Sequence, residues 1–454
     1  MLQAELAQRN SGSHSVEWEM EGRVYKRVAW RLVPFLFACY IVCFLDRVNI
    51  GFAKLQMLQD LHLSEAVYGF GAGVFFIGYL VFEVPSNLVL RRVGSRKWIA
   101  RIMVSWGLVS CAMMFVTSAP IFYALRFLLG ACEAGFYPGV VFYLASWFPS
   151  ARRGMILAIF ITAIPVGGMI GGLLSGWVMS AFDGAHGLAG WQWLFIAEGV
   201  PSIILGVWTL FHLDDKIEHA AWLNPAEKQL LAARISEDAD QVEAGSHDIR
   251  RAFIDPRVWL LSAVYFMVAM GSYGIAFWLP SLIAALGVKS LVDIGFLSAV
   301  PNLVAIVGML LVARSSDRHG ERRKHFAFSC LLGAIGLAGS VIFSASVPIA
   351  IGFLSLAAAG IFAALPVFWP IPSRFLAGSA SAAGLALINS LGSFSGFVSP
   401  TIVGWIKNTT GSADNGVYAI SACVLFAGIL LLAMRGLRQP GRAPAPREYA
   451  IKHQ

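Results

Sequence analysis

The amino-acid sequence predicts an all-α polytopic membrane protein with 12 transmembrane helices arranged as two pseudo-symmetric six-helix bundles. The first reason is composition, because a chain of 454 residues that is 57% hydrophobic and only 13% charged is too apolar for a soluble globular protein. The second is a series of apolar runs, each near the ~20 residues that a helix needs to cross a bilayer. The third is one long polar interruption, residues 214–255, which divides these runs six and six.

The apolar runs are expected to be helices, since the strands of a membrane barrel are ~10-residue segments of alternating polarity. The candidate spans are residues 32–52, 67–90, 101–118, 120–145, 154–181, 191–213, 257–284, 291–313, 326–345, 348–371, 379–403 and 417–435. The predicted organisation is a tail (1–28), a six-helix bundle (29–213), a central loop (214–255), a second bundle (256–436) and a tail (437–454).

Basic residues predict the orientation. Of the 34 lysines and arginines, Arg47 and Arg126 lie within spans, and only Lys54, Lys289 and Lys407 fall in connections that follow odd-numbered spans. The others lie in the tails and the even-numbered connections, which is the distribution of cytoplasmic loops. Both termini are therefore expected in the cytoplasm. Residues 1–28 lack the pattern of a cleaved signal peptide.

Other function classes fit the sequence poorly. The net charge of +8 is spread over short tracts between apolar runs instead of forming a basic face, so no nucleic-acid partner is expected. The six cysteines fall inside apolar segments without ligand spacing, so neither a metal nor a cofactor is expected. No nucleophile–base pair or large soluble domain indicates an enzyme, and no output domain indicates a sensor, which stays a remote alternative.

Four ionisable residues interrupt the apolar spans of the first half. Asp46 and Arg47 are adjacent in span 1, and Arg126 and Glu133 are seven residues apart in span 4, so they share one helix face about 10 Å apart. Intramembrane charges are costly and usually functional, although a structural ion pair between helices would also explain them. Burial disfavours an ionised carboxylate and a neighbouring arginine favours it, so moving the arginine onto a substrate anion would promote protonation.

Two short basic turns occupy equivalent places in the two halves, after spans 2 and 8. Such a repeat is expected of a duplicated six-helix unit, and the turns are candidate gates; two unrelated cytoplasmic turns are the alternative. The candidate gate residues are Arg92, Gly94 and Arg96 in the first turn and Asp317, Arg318, Gly320 and Arg322 in the second. In the central loop, Asn224-Pro225-Ala226-Glu227 predicts the start of a helix that runs through Ile235.

Several stretches, most of them in the first half, resemble the major facilitator superfamily, and within it the anion:cation symporters that include bacterial tartrate, sugar-acid, phthalate and hydroxyphenylacetate permeases. The second half resembles the superfamily mainly through Asp317-Arg318-His319-Gly320-Glu321-Arg322-Arg323. The stretches of the first half are Leu45-Asp46-Arg47-Val48-Asn49, Gly78-Tyr79, Phe82-Glu83-Val84-Pro85-Ser86-Asn87, Gly94-Ser95-Arg96-Lys97-Trp98-Ile99-Ala100-Arg101, Arg126-Phe127-Leu128-Leu129-Gly130, Glu133-Ala134-Gly135, Pro138-Gly139, Gly190-Trp191-Gln192-Trp193-Leu194-Phe195 and Glu198-Gly199.

The resemblance implies the roles of individual residues. Asp46 and Glu133 become proton-coupling sites, Arg47 becomes the clamp for the substrate carboxylate, and Arg126 becomes the internal partner of Asp46 as well as a candidate binding residue. Tyr79, Trp369 and Asn389 become pocket residues, although packing or an interhelical hydrogen bond would equally explain them. Some similar sugar-acid carriers have a tyrosine where this chain has Phe44, which removes one hydroxyl contact.

The function implied is proton-coupled uptake of a small organic anion, such as tartrate or a sugar acid, by alternating access in a bacterial inner membrane. Uptake of an anion against an inside-negative potential costs ~2.3 kcal/mol per charge and 100 mV, so a coupled cation is needed. The expected partners are the anion, protons and the lipid bilayer, and a monomer is expected. An aromatic-carboxylate symporter and an anion exchanger or drug exporter on the same fold remain open.

Overall fold

A computed structural model describes residues 2–243, 254–372 and 378–434. Within these residues, 12 helical segments are long and apolar enough to cross a membrane, which confirms the predicted number and order of spans. Residues 244–253 of the predicted central loop and the predicted carboxyl-terminal tail from residue 437 lie outside the described residues.

Nine spans are formed by one helix each, and three by two consecutive helices. These are span 1 (Leu2–Val48 and Ile50–Asp60), span 4 (Ala119–Glu133 and Phe136–Ala145) and span 5 (Ser150–Ile161 and Ala163–Ala181). The backbone stays helical at the junctions of spans 1 and 5 (Asn49 and Thr162) and leaves the helical region between the two helices of span 4. The single helices are Glu65–Val93, Ser95–Ala112, Gly190–His212, Pro256–Ala285, Leu291–His319, Arg322–Ile342, Val347–Phe368, Gly378–Thr410 and Asp414–Ala433, which form spans 2, 3, 6 and 7 to 12.

Most helices extend beyond the apolar runs from which they were predicted, since polar residues that flank these runs are also helical. This corrects the placement of Lys54, which was expected in the connection after span 1. Lys54 lies instead in the helix Ile50–Asp60 and is only 3% exposed. Lys407, also expected in a connection, lies within the helix Gly378–Thr410.

Local capping explains where several helices begin and end. The predicted start at Asn224 is confirmed: Asn224 Oδ1 accepts a hydrogen bond from Glu227 N (2.8 Å), and Glu227 Oε2 accepts one from Asn224 N (3.0 Å). The helix runs to Glu243, beyond the predicted end at Ile235. Span 2 ends at Gly94 and span 8 at Gly320, with φ values of +96° and +64° that favour glycine.

We call the end of the molecule that carries the connections after odd-numbered spans the distal end, and the opposite end the proximal end. The two bundles meet where span 2 packs on span 11 and span 5 packs on span 8. A Cβ on Gly73 would lie 2.7 Å from Phe397 O, and one on Gly172 would lie 3.0 Å from Gly295 O. These close backbone approaches need small residues, and they lie in the distal halves of the helices.

An ionic cluster also joins the bundles at the distal end. Lys54 Nζ lies 2.7 Å from Glu65 Oε2, and Lys407 of span 11 pairs with the other oxygen of Glu65. The Lys54 ammonium also lies 3.6 Å from the ring centre of Trp278, in span 7. The described contacts between the bundles thus hold the distal ends together, and the central cavity lies on their proximal side.

Candidate functional site

A helix break lies beside the charged residues at the centre of the first bundle. Span 4 is interrupted directly after Glu133, where Ala134 has an extended ψ of 130° and Gly135 has a φ of +88°. Span 1 stays helical through Asn49, whose N–H donates to Leu45 O at 2.9 Å. Discontinuous helices in transporters place polar groups and free backbone atoms at the middle of the membrane. The ion contact between Arg47 and Glu133 shows that these two charges lie at the same depth of the bundle.

Arg47 and Glu133 form an ion pair in which Glu133 is fully buried and Arg47 is partly exposed. The Arg47 guanidinium binds Glu133 Oε1 through both Nη2 and Nε, the latter at 3.1 Å, and Cys43 Sγ donates to the same oxygen at 3.3 Å. Glu133 Oε2 is buried without a hydrogen-bond partner. The guanidinium also lies 5.5 Å from the ring centre of Tyr79. One carboxylate oxygen of Glu133 therefore lacks a hydrogen-bond partner, and the Arg47 guanidinium lies beside the ring of Tyr79.

Asp46 points away from Arg47, toward spans 3 and 6. Its side chain is fully buried and accepts hydrogen bonds from Trp106 Nε1 (3.0 Å), Ser110 Oγ and Ser202 Oγ. These donors are neutral, so the carboxylate gains hydrogen bonds without a countercharge. Such a group can bind and release a proton without breaking an ion pair.

The expected pairing of Arg126 with Asp46 is wrong in this structure. Arg126 projects toward span 2, where its Nε and Nη2 donate to Gly71 O (3.3 Å) and Ala72 O (3.4 Å). Its guanidinium lies 5.0 Å from the ring centre of Phe75. The helix face that carries Arg126 meets span 2, whereas Asp46 faces spans 3 and 6, so the two side chains diverge.

A central cavity lies between the bundles, with about 990 Å³ of empty space when its open mouth is included. Four of the five predicted binding residues line it: Arg47, Tyr79, Trp369 and Asn389. Arg126 lies behind Phe75, outside this lining. Six further residues with aromatic rings that sequence reasoning missed are Tyr40, Phe76, Tyr137, Tyr265, Tyr273 and Phe362.

The sequence contains at most a weak indication that the missed residues line a cavity or bind Asp46. The tyrosines are amphipathic aromatics inside apolar spans, which usually indicates either packing or a polar cavity. Ser110 and Ser202 had no signal, because a serine within a span is compatible with any helix contact. Phe44, which stands where some similar sugar-acid carriers have a tyrosine, lines the cavity.

The predicted gate residues lie at the proximal end, and their described ion pairs stay within one bundle. Asp215, after span 6, accepts a hydrogen bond from Arg96 N (2.8 Å) and lies 3.8 Å from Arg96 Nε. In the second bundle, Arg322 Nη2 lies 2.7 Å from Asp317 Oδ1. Arg92 and Arg318 are exposed. The proximal turns are therefore anchored separately in their own bundles.

Comparisons with known proteins agree with this architecture. Residues 36–400 match the family model of the Major Facilitator Superfamily. Two relatives share 45% identity: one named as a metabolite transport protein, NicT, of Pseudomonas putida, over 90% of this chain and 94% of its own, and one named as a tartrate transporter of Agrobacterium vitis, over 92% of each. A protein named as a quinolone resistance transporter of Acinetobacter baumannii is 41% identical over 91% of this chain and 95% of its own.

Among solved structures, a bacterial homologue of the human lysosomal transporter Spinster superposes with a TM-score of 0.71 over 88% of this chain and 95% of its own. Its 15% sequence identity supports the fold alone. The family match covers most of the chain, and the twelve spans and two bundles are those of this fold. The chain belongs to the Major Facilitator Superfamily and is a multi-pass membrane transporter, not an enzyme.

Proposed function

We propose that this transporter is a proton-coupled symporter of a small organic anion. The observation that carries the proposal is the ion pair between Arg47, which lines the central cavity, and Glu133. A guanidinium binds a carboxylate through a planar fork, so a substrate carboxylate and Glu133 are competitors for the same group. Competition for one arginine links anion binding to the charge state of an acid.

The coupling follows from the cost of burying an unpaired charge. When a substrate anion takes Arg47, the Glu133 carboxylate is left buried without its cation, and a proton then neutralises it. Conversely, a proton on Glu133 frees Arg47 for the anion. Each ligand therefore favours the binding of the other, which is the thermodynamic condition for coupled transport. Asp46, held by neutral donors, is a second residue that can carry a proton.

Alternating access requires that the cavity opens to one end at a time. In this structure the distal ends are joined through Glu65 and through the packing of spans 2 and 11, while the proximal turns are anchored within their own bundles. The distribution of lysines and arginines supports a cytoplasmic proximal end, in a bacterial inner membrane. In the opposite state, we expect the turns around Gly94 and Gly320 to approach each other as a proximal gate.

The cavity lining favours a carboxylate with polar or aromatic substituents. Arg47 supplies the charge, Asn389 can donate and accept hydrogen bonds, and the aromatic rings offer both hydroxyl groups and stacking faces. Tartrate-like acids and sugar acids are the first candidate substrates, and the relative named as a tartrate transporter supports them. The phenylalanine at position 44 and the many rings favour an aromatic carboxylate as the second candidate.

Exchange or export on the same fold is the remaining alternative, and the relative named for quinolone resistance supports it. An exporter of this kind would move its substrate outward while protons enter. An exchanger would depend on a counter-anion. Either function would use the central cavity without requiring anion and proton to move in the same direction.

The test is substrate-induced proton flux in proteoliposomes at a fixed inside-negative potential. Tartrate, galactonate, phthalate and 4-hydroxyphenylacetate are added singly, with Arg47→Ala protein as the control. Alkalinisation of the outer solution on adding one acid, absent in the control, supports symport and identifies the substrate. Uptake of an acid without proton movement, or movement of protons and acid in opposite directions, would overturn the proposal.

A further inference from the structure

A third buried acid, Glu198 in span 6, is not used by the mechanism above. Its side chain is 1% exposed, and Ser175 Oγ of span 5 donates to its Oε1 at 2.9 Å. Its other oxygen, Oε2, is buried without a hydrogen-bond partner. Among the described residues, no lysine or arginine forms an ion pair with it. A carboxyl group in such surroundings is strongly disfavoured in its charged form.

A second cavity lies next to this acid, at the contact between the two bundles. It has about 460 Å³ of empty space when the solution it opens to is included, and is lined by Asn49, Ser175, Ser298 and Asn302 among apolar residues. Ser175 and Asn49 both lie against Glu198, and the Ser298 hydroxyl across the cavity is buried without a hydrogen-bond partner. Buried polar groups in native proteins are almost always satisfied by protein or water. Water in the second cavity would connect the polar groups beside Glu198 with the other bundle.

Glu198 and Asp46 are linked through one turn of span 6. Ser202, four residues after Glu198, donates a hydrogen bond to Asp46 Oδ2. The other side chains placed against Glu198 are neutral: Ser175 on span 5 and Asn49 on span 1. Two buried carboxyl groups without a cation between them resist being ionised together. One proton held by the pair would relieve this repulsion.

We propose that Glu198 is a third proton-holding residue of the transporter, which shares one proton with Asp46 and exchanges it through water in the second cavity. The transfer is a simple exchange: the proton leaves the Glu198 carboxyl as the Asp46 carboxylate accepts it, and the total charge is unchanged. The second cavity lies between spans 5 and 8 at their distal contact, so separation of the bundles there would open it to the distal solution. Glu198 would then load protons from the distal side, while Glu133 is coupled to the central cavity through Arg47.

The first test does not depend on substrate or on transport. Infrared difference spectra of the purified, substrate-free protein are recorded as the pH is raised, for wild type, Glu198→Gln and Glu218→Gln, which alters an exposed acid in the same isosteric way. We expect the carbonyl band of buried carboxylic acid to be reduced by about one group in Glu198→Gln only. An unchanged band in that variant would overturn the proposal.

A second variant covers the case in which Glu198→Gln does not fold. Ser175→Ala keeps the acid but removes the hydrogen bond that stabilises its charged form. We expect the carboxylic-acid band of this variant to persist to higher pH than in wild type. A band that disappears at the same pH as in wild type would show that the titrating group is not Glu198.

The transport test rests on the proposed function. Proton flux per transported acid is measured in proteoliposomes with the acid that gives flux in wild type. We expect Glu198→Gln to keep exchange of labelled for unlabelled acid and to lose one proton per acid relative to Glu218→Gln. Equal proton flux in the two variants would contradict the role of Glu198. Absence of proton flux in wild type would instead overturn symport, and the infrared result would still decide whether Glu198 holds a proton.

Discussion

Replacement of Glu133 by glutamine tests the competition for Arg47 directly. The change removes the charge that occupies the guanidinium but keeps the size of the side chain. Hydrogen bonds to charged groups contribute about 1.5–3 kcal/mol each. If the substrate must displace Glu133, removal of this competitor should strengthen anion binding by about 10- to 150-fold, since 1.4 kcal/mol corresponds to a factor of ten.

The expected gain depends on pH in a defined direction. Only an ionised Glu133 competes for the guanidinium, so the advantage of the variant over wild type should be greater at the higher pH and smaller at the lower pH. Titration calorimetry in detergent at mildly acidic and mildly alkaline pH measures both values. Asp46→Asn is the matched control, because it leaves the Arg47–Glu133 pair intact and should keep the pH dependence of this competition.

The reasoning would be refuted if Glu133→Gln bound the acid no more tightly than wild type at alkaline pH while keeping a native thermal unfolding profile. That result would mean that Glu133 stabilises Arg47 in its binding position instead of competing with the substrate. A pH-independent affinity in wild type would lead to the same conclusion, because competition by an ionisable acid must vary with its protonation.

Three further predictions concern the cavity and the contact between bundles. Arg47→Lys should weaken anion binding by at least about tenfold because the ammonium lacks the planar fork, and affinity close to wild type by calorimetry would argue against two-point recognition. Glu65→Gln should leave Lys54 buried without a countercharge and so favour separation of the distal ends, which a longer distance between spin labels at those ends would report. An unchanged distance distribution would show that the cluster does not hold the distal ends together. Gly172→Val should abolish uptake without unfolding the protein, because a Cβ would lie 3.0 Å from Gly295 O; normal uptake would show that this contact yields easily.

Much of the fold could be predicted because the membrane imposes a simple pattern on the sequence. The number and order of spans follow from apolar runs, and the start at Asn224 follows from local capping chemistry. The break after Glu133 was not predicted, although Gly135 and Pro138 are a signal for it, since Pro138 lacks the N–H that would bond the carbonyl of Ala134 in a continuous helix. The burial of Lys54 was also missed, because its partners Glu65 and Trp278 are distant in sequence.

The candidate site was predictable in its residues but less so in its pairings. Intramembrane charge alone selected Asp46, Arg47 and Glu133, because such residues are costly in a bilayer. Which acid pairs with which arginine depends on helix rotation and on neighbouring spans, and neither is fixed by spacing within one helix. Arg126 therefore donates to carbonyl groups of span 2 and not to Asp46. The hydroxyl groups that donate to Asp46 belong to serines of spans 3 and 6, and a serine within a span does not by itself indicate a polar site.

The most direct test of symport is the accumulation of the transported acid under an imposed pH gradient, with the membrane potential clamped at zero. If acid and proton move together, the inside-to-outside ratio of the acid at steady state should rise about tenfold per pH unit for each proton that moves with the acid, and should collapse with a protonophore. The Glu133→Gln protein should exchange the acid but fail to concentrate it. Accumulation that ignores the pH gradient and instead follows the concentration of a trapped counter-anion would contradict the proposed coupling.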